Sequence, residues 1–280
     1  MRIAMGAAIG LAAAWVAYDF GHFLMASPEM ALVHPEQVQL AGNHYVPRAN
    51  VLEIFAADRG KSVLRIPLEG RRRQLEAIPW VERATVRRAL PNRIEVEIVE
   101  RTPVAFVRQG DAMDLVDAHG VILDRPLEGD FHFPVVTGIS AGMPLEDRGQ
   151  RMQLFSDFTQ EIELAHPGAI EQVSVVDLSD PHDVRATLTG LGGGESVHGA
   201  ASGTWGQADA PMLVHFGERD FAGKYRTLVD NIGQWRATAG AVESVDLRFS
   251  QEAVVNPDAS AVKGQRPPKA SAALETRHSR

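Results

Sequence analysis

The stretch AIPWVERATVRRALPNRIEVEIVERTPVAFV, at positions 77–107, reads as two β-strands joined by a Pro-Asn corner. After the corner, Ile94, Val96 and Ile98 alternate with mostly charged residues, and a similar alternation begins at Ala84 before it. A period of two predicts a sheet with one buried face. The hairpin contains no evident nucleophile or metal ligand, which raises the question of whether it belongs to an enzyme or to a protein that only binds.

The residues before the hairpin complete a small domain, predicted to span 38–103. The sequence VQLAGNHYV at 38–46 reads as a strand ending in a turn, and Pro47 introduces a helix that Gly60 ends. A second helix is predicted at Leu68–Ala77. The predicted order of elements is therefore β-α-α-β-β.

Residues 104–256 are predicted to form a second domain, of α+β class, on a curved and mostly antiparallel sheet. Its strand candidates are Val104–Val107, Asp114–Val116, Val121–Leu123, Pro134–Thr137, Glu171–Asp177, Val184–Thr189, Met212–Phe216 and Val245–Phe249. Amphipathic helices are predicted at 149–166 and near Phe221–Trp235. The Gly/Ser/Ala-rich segment 190–210 is predicted to be a flexible loop, and the tail at 257–280 to be disordered.

The N-terminal segment 3–25 is predicted to be a retained transmembrane helix. It contains one acid, Asp19, and a helix of its length spans ~34 Å, against a bilayer core of ~30 Å. Arg2 precedes it and no Lys or Arg follows until Arg48, so the positive-inside rule places the N-terminus in the cytoplasm and the rest outside. A cleaved signal peptide is the alternative. The flanking segments are a cytoplasmic stub at 1–2 and a connector at 26–37.

The composition excludes several classes of function. The 280 residues carry a net charge of −8, which does not favour nucleic acid as a partner. The absence of cysteine excludes disulfides, cysteine-ligated zinc and thiol catalysis. Against this acidic background, residues 59–108 contain 12 Lys and Arg but only 6 Asp and Glu. The first domain is therefore locally basic.

Five arginines of this basic module form a candidate surface for anionic lipid headgroups or an acidic partner. They are Arg71, Arg72, Arg73, Arg87 and Arg88. The alternative is an ordinary solvated face, which is the commoner meaning of a run of charges.

One short sequence resembles a catalytic motif. GISAG at 138–142 matches G-x-S-x-G around Ser140, but Pro144 lies where a nucleophile elbow requires the first turns of a helix. A turn at the end of a strand is the favoured interpretation. The ten histidines lack the spacing of metal motifs. We therefore predict no catalytic residue, no cofactor, no metal site and no small-molecule substrate.

Taken together, several segments resemble the bacterial FtsQ/DivIB family of cell division proteins. The hairpin looks like the family pattern P-W-V, strand, R-x-x-P, strand, E-R-x-P-V-A. Similar in the same order are VQLAGNHYVPRANV at 38–51, LVDAHGVIL at 115–123, FPVVTG at 133–138 and VESVDLRFSQEAVV at 242–255.

The resemblance implies a single-pass inner-membrane protein with a POTRA domain followed by a β domain. It implies FtsB, in complex with FtsL, as partner, with other septal membrane proteins also possible. Binding would occur by strand addition at the end of the β domain. By position, the candidate edge residues are Val245, Asp246, Leu247, Arg248, Phe249, Ala253, Val254 and Val255. The alternative is that Val245 and Leu247 are core residues and that Asp246 and Arg248 pair with each other.

The resulting hypothesis is a non-enzymatic scaffold that links early and late divisome proteins during septum assembly. One alternative is a POTRA-type chaperone for exported or outer-membrane proteins. Such proteins usually carry a β-barrel with strands of about ten alternating residues, and this pattern does not occur here. A secreted serine hydrolase that uses Ser140 is a further alternative.

Overall fold

The computed structural model describes residues 10–16, 18, 19, 21, 23, 28–126, 128–191, 210–249 and 252–256. These residues form two compact units that divide between Pro103 and Val104, with Pro126 and Glu128 grouped with the first unit. Each unit has its own sheet. The two are therefore described separately.

The predictions for both ends of the chain and for the glycine-rich loop fall mostly outside the described residues. Of the transmembrane prediction at 3–25, the structure describes only 10–16, 18, 19, 21 and 23, which are helical. Across the described residues, no helix combines the length and the apolar character needed to cross a membrane. The stub at 1–2, residues 192–209 of the predicted loop and the tail at 257–280 also lie outside them.

The first unit has the predicted order β-α-α-β-β. Its elements are β1 (Val38–Ala41), α1 (Arg48–Ile54), α2 (Leu68–Glu76), β2 (Val81–Ala89) and β3 (Arg93–Glu100). The strands lie in the order β1-β3-β2, with β1 parallel and β2 antiparallel to β3. Short 3-10 turns occupy Ala56–Asp58 and Val63–Arg65.

The alternation seen in the hairpin sequence sets the two faces of this sheet. Ile94, Val96 and Ile98 are buried, whereas the glutamates between them are exposed. At the end of β3, the Glu100 carboxylate accepts hydrogen bonds from the backbone N–H groups of residues 44–46, at 2.7–3.0 Å. One side chain thus ties the last strand of the unit to the loop that leads into α1.

The stretch predicted as a connector is docked on the first unit over its described part, 28–37. Leu32 is buried, its N–H donates to the Lys61 carbonyl at 2.9 Å, and its carbonyl accepts from the Gly60 N–H at 2.8 Å. The segment contains two 3-10 turns, at Pro28–Met30 and Pro35–Gln37. Packing and backbone bonding therefore make these residues part of the folded unit.

The second unit contains a sheet of nine strands in the order β12-β11-β10-β9-β8-β7-β4-β5-β6. The strands are β4 (Pro103–Gln109), β5 (Ala112–Asp117), β6 (Ile122–Leu123), β7 (Val135–Thr137), β8 (Val173–Asp177), β9 (Val184–Leu188), β10 (Met212–Gly217), β11 (Ser244–Phe249) and β12 (Glu252–Val255). The helices are α3 (Leu145–Ala165) and α4 (Phe221–Ala239), with a 3-10 turn at Ala169–Gln172. The predicted α+β class is confirmed.

The sheet is mixed, and most of its pairings are antiparallel as predicted: β12–β11, β10–β9, β9–β8 and β5–β6 run antiparallel. The pairs β4–β7, β7–β8 and β10–β11 are parallel. Helix α3 separates β7 from β8, and α4 separates β10 from β11. A helical crossover returns the chain to the end of the sheet from which it left, so the two strands that it joins run in the same direction.

A continuous row of small aliphatic residues crosses this sheet on the buried face. Each row member pairs with the next across neighbouring strands, and each is fully buried; the row is Val107, Val136, Val176, Ala186, Val214 and Val245. Phe158 of α3 packs beside the row, edge to face with Phe216 and Phe221 at ring-centre distances of 5.1 and 5.4 Å. The core therefore extends from β4 to β11.

Candidate functional site

Strand β12 forms one edge of the nine-stranded sheet, and β6 forms the other. Of the two segments predicted to be an edge, only Ala253–Val255 lies there. The prediction that Val245–Phe249 belongs to the edge is wrong, because β11 is hydrogen-bonded to β10 on one side and to β12 on the other. The crossover through α4 places β11 beside β10, and the chain then reverses to add β12 outside it.

The pairing of β12 with β11 determines which backbone groups remain open. Val254 pairs with Asp246, and the Asn256 N–H donates to the Ser244 carbonyl at 2.8 Å. In an antiparallel pair, alternate residues turn both backbone groups toward the partner strand. Residues 254 and 256 therefore face β11, and the N–H and C=O groups of Ala253 and Val255 point away from it. Within the described residues, no side chain or loop bonds to these outward groups.

Most side chains of the candidate edge serve the core. Val245 and Leu247 are buried in the main cluster, and Ala253 and Val255 are half-buried against it. The alternative interpretation of Val245 and Leu247 as core residues is therefore correct. Phe249 is 46% exposed, so its ring contributes apolar surface next to the hairpin.

A groove of about 950 Å³ lies between the end of this hairpin and the N-terminal half of α4. Its walls include Lys224 and Thr227 from the helix, and Leu247, Phe249 and Ala253 from the hairpin. Because the groove adjoins β12, a segment added to the edge would have an apolar and charged surface beside it.

Arg248 lines the groove and forms an ion pair with Asp246 on the same strand. Its Nη2 lies 2.6 Å from Asp246 Oδ2, and its Nε lies 3.0 and 3.1 Å from the two carboxylate oxygens. Burial of Asp246 on its own would raise the pKa of that carboxyl, but the hydrogen bonds from Arg248 outweigh burial and lower the pKa. Part of the guanidinium stays solvent-accessible, since the side chain is 31% exposed.

Two histidine–carboxylate pairs brace the loops next to the groove. The Nδ1 atom of buried His215 lies 2.7 Å from Asp183 Oδ2, and Asp183 also accepts a hydrogen bond from the Gly217 N–H. The Nδ1 atom of exposed His182 lies 2.8 Å from Glu218 Oε2, which raises the pKa of His182. Local sequence patterns do not identify these pairs, because the acids and the histidines that they contact are more than thirty positions apart along the chain.

Lys224 lines the groove and is hydrogen-bonded to the backbone beside it. Its Nζ donates to the carbonyls of Phe216 and Arg219, at 2.5 and 2.8 Å. Partial burial lowers the pKa of Lys224. This lysine therefore binds the loop between β10 and α4 and helps to fix the shape of the groove.

In the first unit, two of the five candidate arginines are committed to acids of that unit. Arg71 Nε lies 2.6 Å from Oδ2 of Asp58, whose side chain is fully buried. Burial would raise the pKa of Asp58, but hydrogen bonds from Arg71 and Lys61 outweigh it and lower the pKa. Arg72 pairs with Glu69 and Glu76 on its own helix, each at 2.6 Å.

The other three arginines differ in how far they are bonded within the unit. Arg88 donates to the carbonyls of Val63 and Ile66, both at 2.7 Å. Arg87 lies 3.6 Å from Glu97, and Arg73 is exposed on α2. The candidate basic surface stays a prediction, and the bonds of these cations to acids and carbonyl groups within the unit give most of them a structural role as well.

The match to G-x-S-x-G around Ser140 is explained by the backbone conformation of Gly138. Gly138 has φ +84°, and a Cβ there would lie 2.3 Å from the backbone nitrogen of Ser179. Ser140 is exposed in the turn that follows, and α3 begins only at Leu145. A nucleophile elbow passes directly from strand to helix, so the geometry around Ser140 is that of a turn. Across the described residues, no group of three or more His, Asp or Glu could hold a metal ion.

Two family models match the chain. Residues 33–101 match the model described as POTRA domain, FtsQ-type. Residues 105–248, about half of the chain, match the model described as Cell division protein FtsQ/DivIB, C-terminal. The second match includes most of β11 and ends before β12.

Curated relatives extend the similarity over nearly the whole chain. A protein of Koribacter versatilis named Cell division protein FtsQ is 32% identical over 275 residues, which cover 96% of this chain and 74% of that protein. A protein of the same name from Syntrophotalea carbinolica is 25% identical over 263 residues, covering 92% and 85%. A third, from Geotalea daltonii, is 25% identical over 221 residues, covering 79% and 74%.

Proposed function

Because the chain belongs to the FtsQ/DivIB family of cell division proteins, we propose that it is a non-enzymatic scaffold that captures FtsB/FtsL-type partners by strand addition at β12. In this role it links early and late divisome proteins at the septum. The segment predicted at 3–25 would anchor it in the inner membrane, with the bulk of the chain outside the cytoplasm.

The observation that carries this proposal is the open edge of β12. The outward N–H and C=O groups of Ala253 and Val255 offer two donors and two acceptors in strand geometry. An unpaired edge of this kind is a template for another strand, and proteins that do not use such an edge usually block it. Backbone bonds supply affinity in strand addition, and neighbouring side-chain pockets supply identity. The groove beside Phe249 and Arg248 is suited to the second role.

A proline at position 253 tests the edge without removing any β11–β12 bond. The Ala253 N–H points outward, so Ala253→Pro deletes one donor of the edge and places a ring in the path of an added strand. We expect the affinity for the FtsB–FtsL complex of the same organism to fall at least tenfold, because one lost bond of about 0.5–1.5 kcal/mol adds to the steric clash. Titration of the purified full-length protein with that complex measures the effect.

The opposite edge of the same sheet provides the matched control. The Asp117 N–H donates to the Val121 carbonyl, so the N–H of Ile122 points away from β5. Ile122→Pro therefore removes an outward donor from β6 and should leave the affinity unchanged. Equal affinities for Ala253→Pro and wild type, with a similar unfolding midpoint, would contradict strand addition at β12.

A further inference from the structure

We infer that Asn256 is a positioning residue that holds β12 in the register in which Ala253 and Val255 turn their backbone groups outward, an inference that rests on the proposed function. Asn256 directly follows β12 and ends the described part of the hairpin. It is not among the residues that sequence reasoning assigned to the edge.

Asn256 binds the beginning of β11 through its side chain and its backbone. Its Oδ1 accepts the N–H groups of Glu243 and Ser244, at 2.8 and 3.3 Å, and its Nδ2 donates to the Ala241 carbonyl at 2.8 Å. Its backbone N–H donates to the Ser244 carbonyl at 2.8 Å. Four hydrogen bonds therefore join one residue to the segment 241–244.

The backbone conformation of Asn256 explains why the side chain takes this role. Its φ is +50°, in the left-handed region that asparagine tolerates better than other residues with a side chain. In a regular antiparallel pair, the carbonyl of residue 256 would accept the Ser244 N–H. Here the side-chain oxygen accepts it, so Asn256 both completes the last pair of the ladder and ends the strand.

The rest of β12 provides little to fix its register. The strand has four residues, and only Ala253 and Val255 pack against the core, each half-buried. At the turn side, the pairing shifts between Asp246 and Phe249. The regular end of the hairpin is therefore the end at Asn256.

The register matters because it decides which way the backbone groups point. A shift by one residue reverses both the bonding direction and the face of every side chain in a strand. The N–H groups of Ala253 and Val255 would then turn toward β11, and Val254 would turn toward the core. The register that Asn256 holds therefore decides which backbone groups and which side-chain faces a partner strand meets at this edge.

The test replaces Asn256 in the full-length protein and follows both β12 and the partner. Asn256→Ala removes the three side-chain bonds and the preference for positive φ, and Asn256→Gly removes the bonds alone. In both variants we expect the Val254 amide, which faces β11, to exchange at least tenfold faster with solvent. Affinity for the FtsB–FtsL complex should fall by a similar factor, while the urea midpoint of the second unit stays unchanged.

Asn231→Ala is the control, since Asn231 donates one comparable side-chain bond to the Thr227 carbonyl on α4. It should change neither quantity. Unchanged exchange at Val254 in Asn256→Ala would overturn the inference, as would faster exchange with undiminished affinity. If the wild type does not bind the FtsB–FtsL complex but Val254 exchange responds as expected, the positioning of β12 stands and the proposed function fails.

Discussion

Strand β2 of the first unit and strand β12 of the second both lie at a sheet edge. The two edges differ in whether a side chain hydrogen-bonds to their outward backbone groups. The outward N–H of Ala84 in β2 is bonded to Glu76 Oε1 at 3.1 Å, and Arg72 holds that carboxylate at 2.6 Å. The outward groups of Ala253 and Val255 have no such cap among the described residues. Proteins often block an edge strand to prevent unwanted pairing with another chain. The open edge of β12 is therefore the better candidate for binding a partner strand.

Charged residues do not distinguish the two regions, because arginines in both are paired with acids. The arginines near β2 suggest a binding surface by composition, yet Arg71 and Arg72 are bound to acids of their own unit. Arg248 near β12 is likewise bound to Asp246. What distinguishes the second region is the set of outward N–H and C=O groups of Ala253 and Val255, which have no hydrogen-bond partner among the described residues. A count of charged residues does not detect this difference.

The largest expected effect tests whether the charges of the first unit are structural. Arg71→Ala leaves the buried carboxylate of Asp58 with only Lys61, and breaking a buried ion pair costs about 3–5 kcal/mol. We expect the free energy of unfolding of the first unit to fall by about 3 kcal/mol, at the lower end because Lys61 remains. Hydrogen exchange of the β3 amides in increasing urea measures it.

Arg73→Ala is the matched control on the same helix, because Arg73 is exposed. Its cost should stay within about 0.5 kcal/mol. If both substitutions were equally mild, Arg71 would be available to a partner, and the distinction between the two regions would weaken.

A smaller effect is expected from the charge pair of β11. Asp246→Asn should destabilise the second unit by about 1.5–3 kcal/mol at neutral pH, because it weakens hydrogen bonds to a charged group. The folded pKa of Asp246 is lowered, so its contribution is complete above an unfolded value of about 3.9 and is lost as the pH falls through the folded pKa. Urea unfolding at pH 7 and at successively lower pH values should show the wild-type advantage disappear only on the acid side.

Exposed Asp111, in the turn between β4 and β5, supplies the control as Asp111→Asn. Its difference from wild type should remain small at every pH. A wild-type advantage over Asp246→Asn that persisted below the folded pKa would show that the pair does not account for the stabilisation.

The smallest effect concerns the cap on β2. Glu76→Ala should cost about 1 kcal/mol and expose the Ala84 N–H, which would then exchange faster with solvent. Glu69→Ala is closely matched, since Glu69 also pairs with Arg72 but lies 15 positions from Ala84 and has no bond to β2. Equal Ala84 exchange rates in the two variants would mean that Glu76 does not block the edge.

Local periodicity predicted much of the secondary structure. The alternation around Ile94, Val96 and Ile98 places β3 and its buried face correctly, because burial on one face of a strand repeats every second residue. The amphipathic pattern at 149–166 likewise corresponds to α3. Such patterns record which face is buried, and that information is local.

Partners far apart in the chain could not be predicted in the same way. The parallel pairing of β7 with β8 depends on how α3 packs, and a sequence pattern does not specify it. Glu100 and the loop at 44–46 are more than fifty positions apart, and nothing in either segment identifies the other. Asn256 resembles the first residue of a polar tail, and its four bonds become evident only once β11 and β12 are paired.

The parallel pairing of β1 with β3 has a mechanical consequence for the first unit. The chain enters the sheet at Val38 and leaves it after Glu100, and the four pairs from Val38–Ile94 to Ala41–Glu97 connect the two strands. In parallel strands, the entry of one and the exit of the other lie at opposite ends. Tension between these two points therefore loads the hydrogen bonds in shear, all at once, instead of unzipping them one after another. The carboxylate of Glu100 adds three backbone groups to the same load-bearing connection.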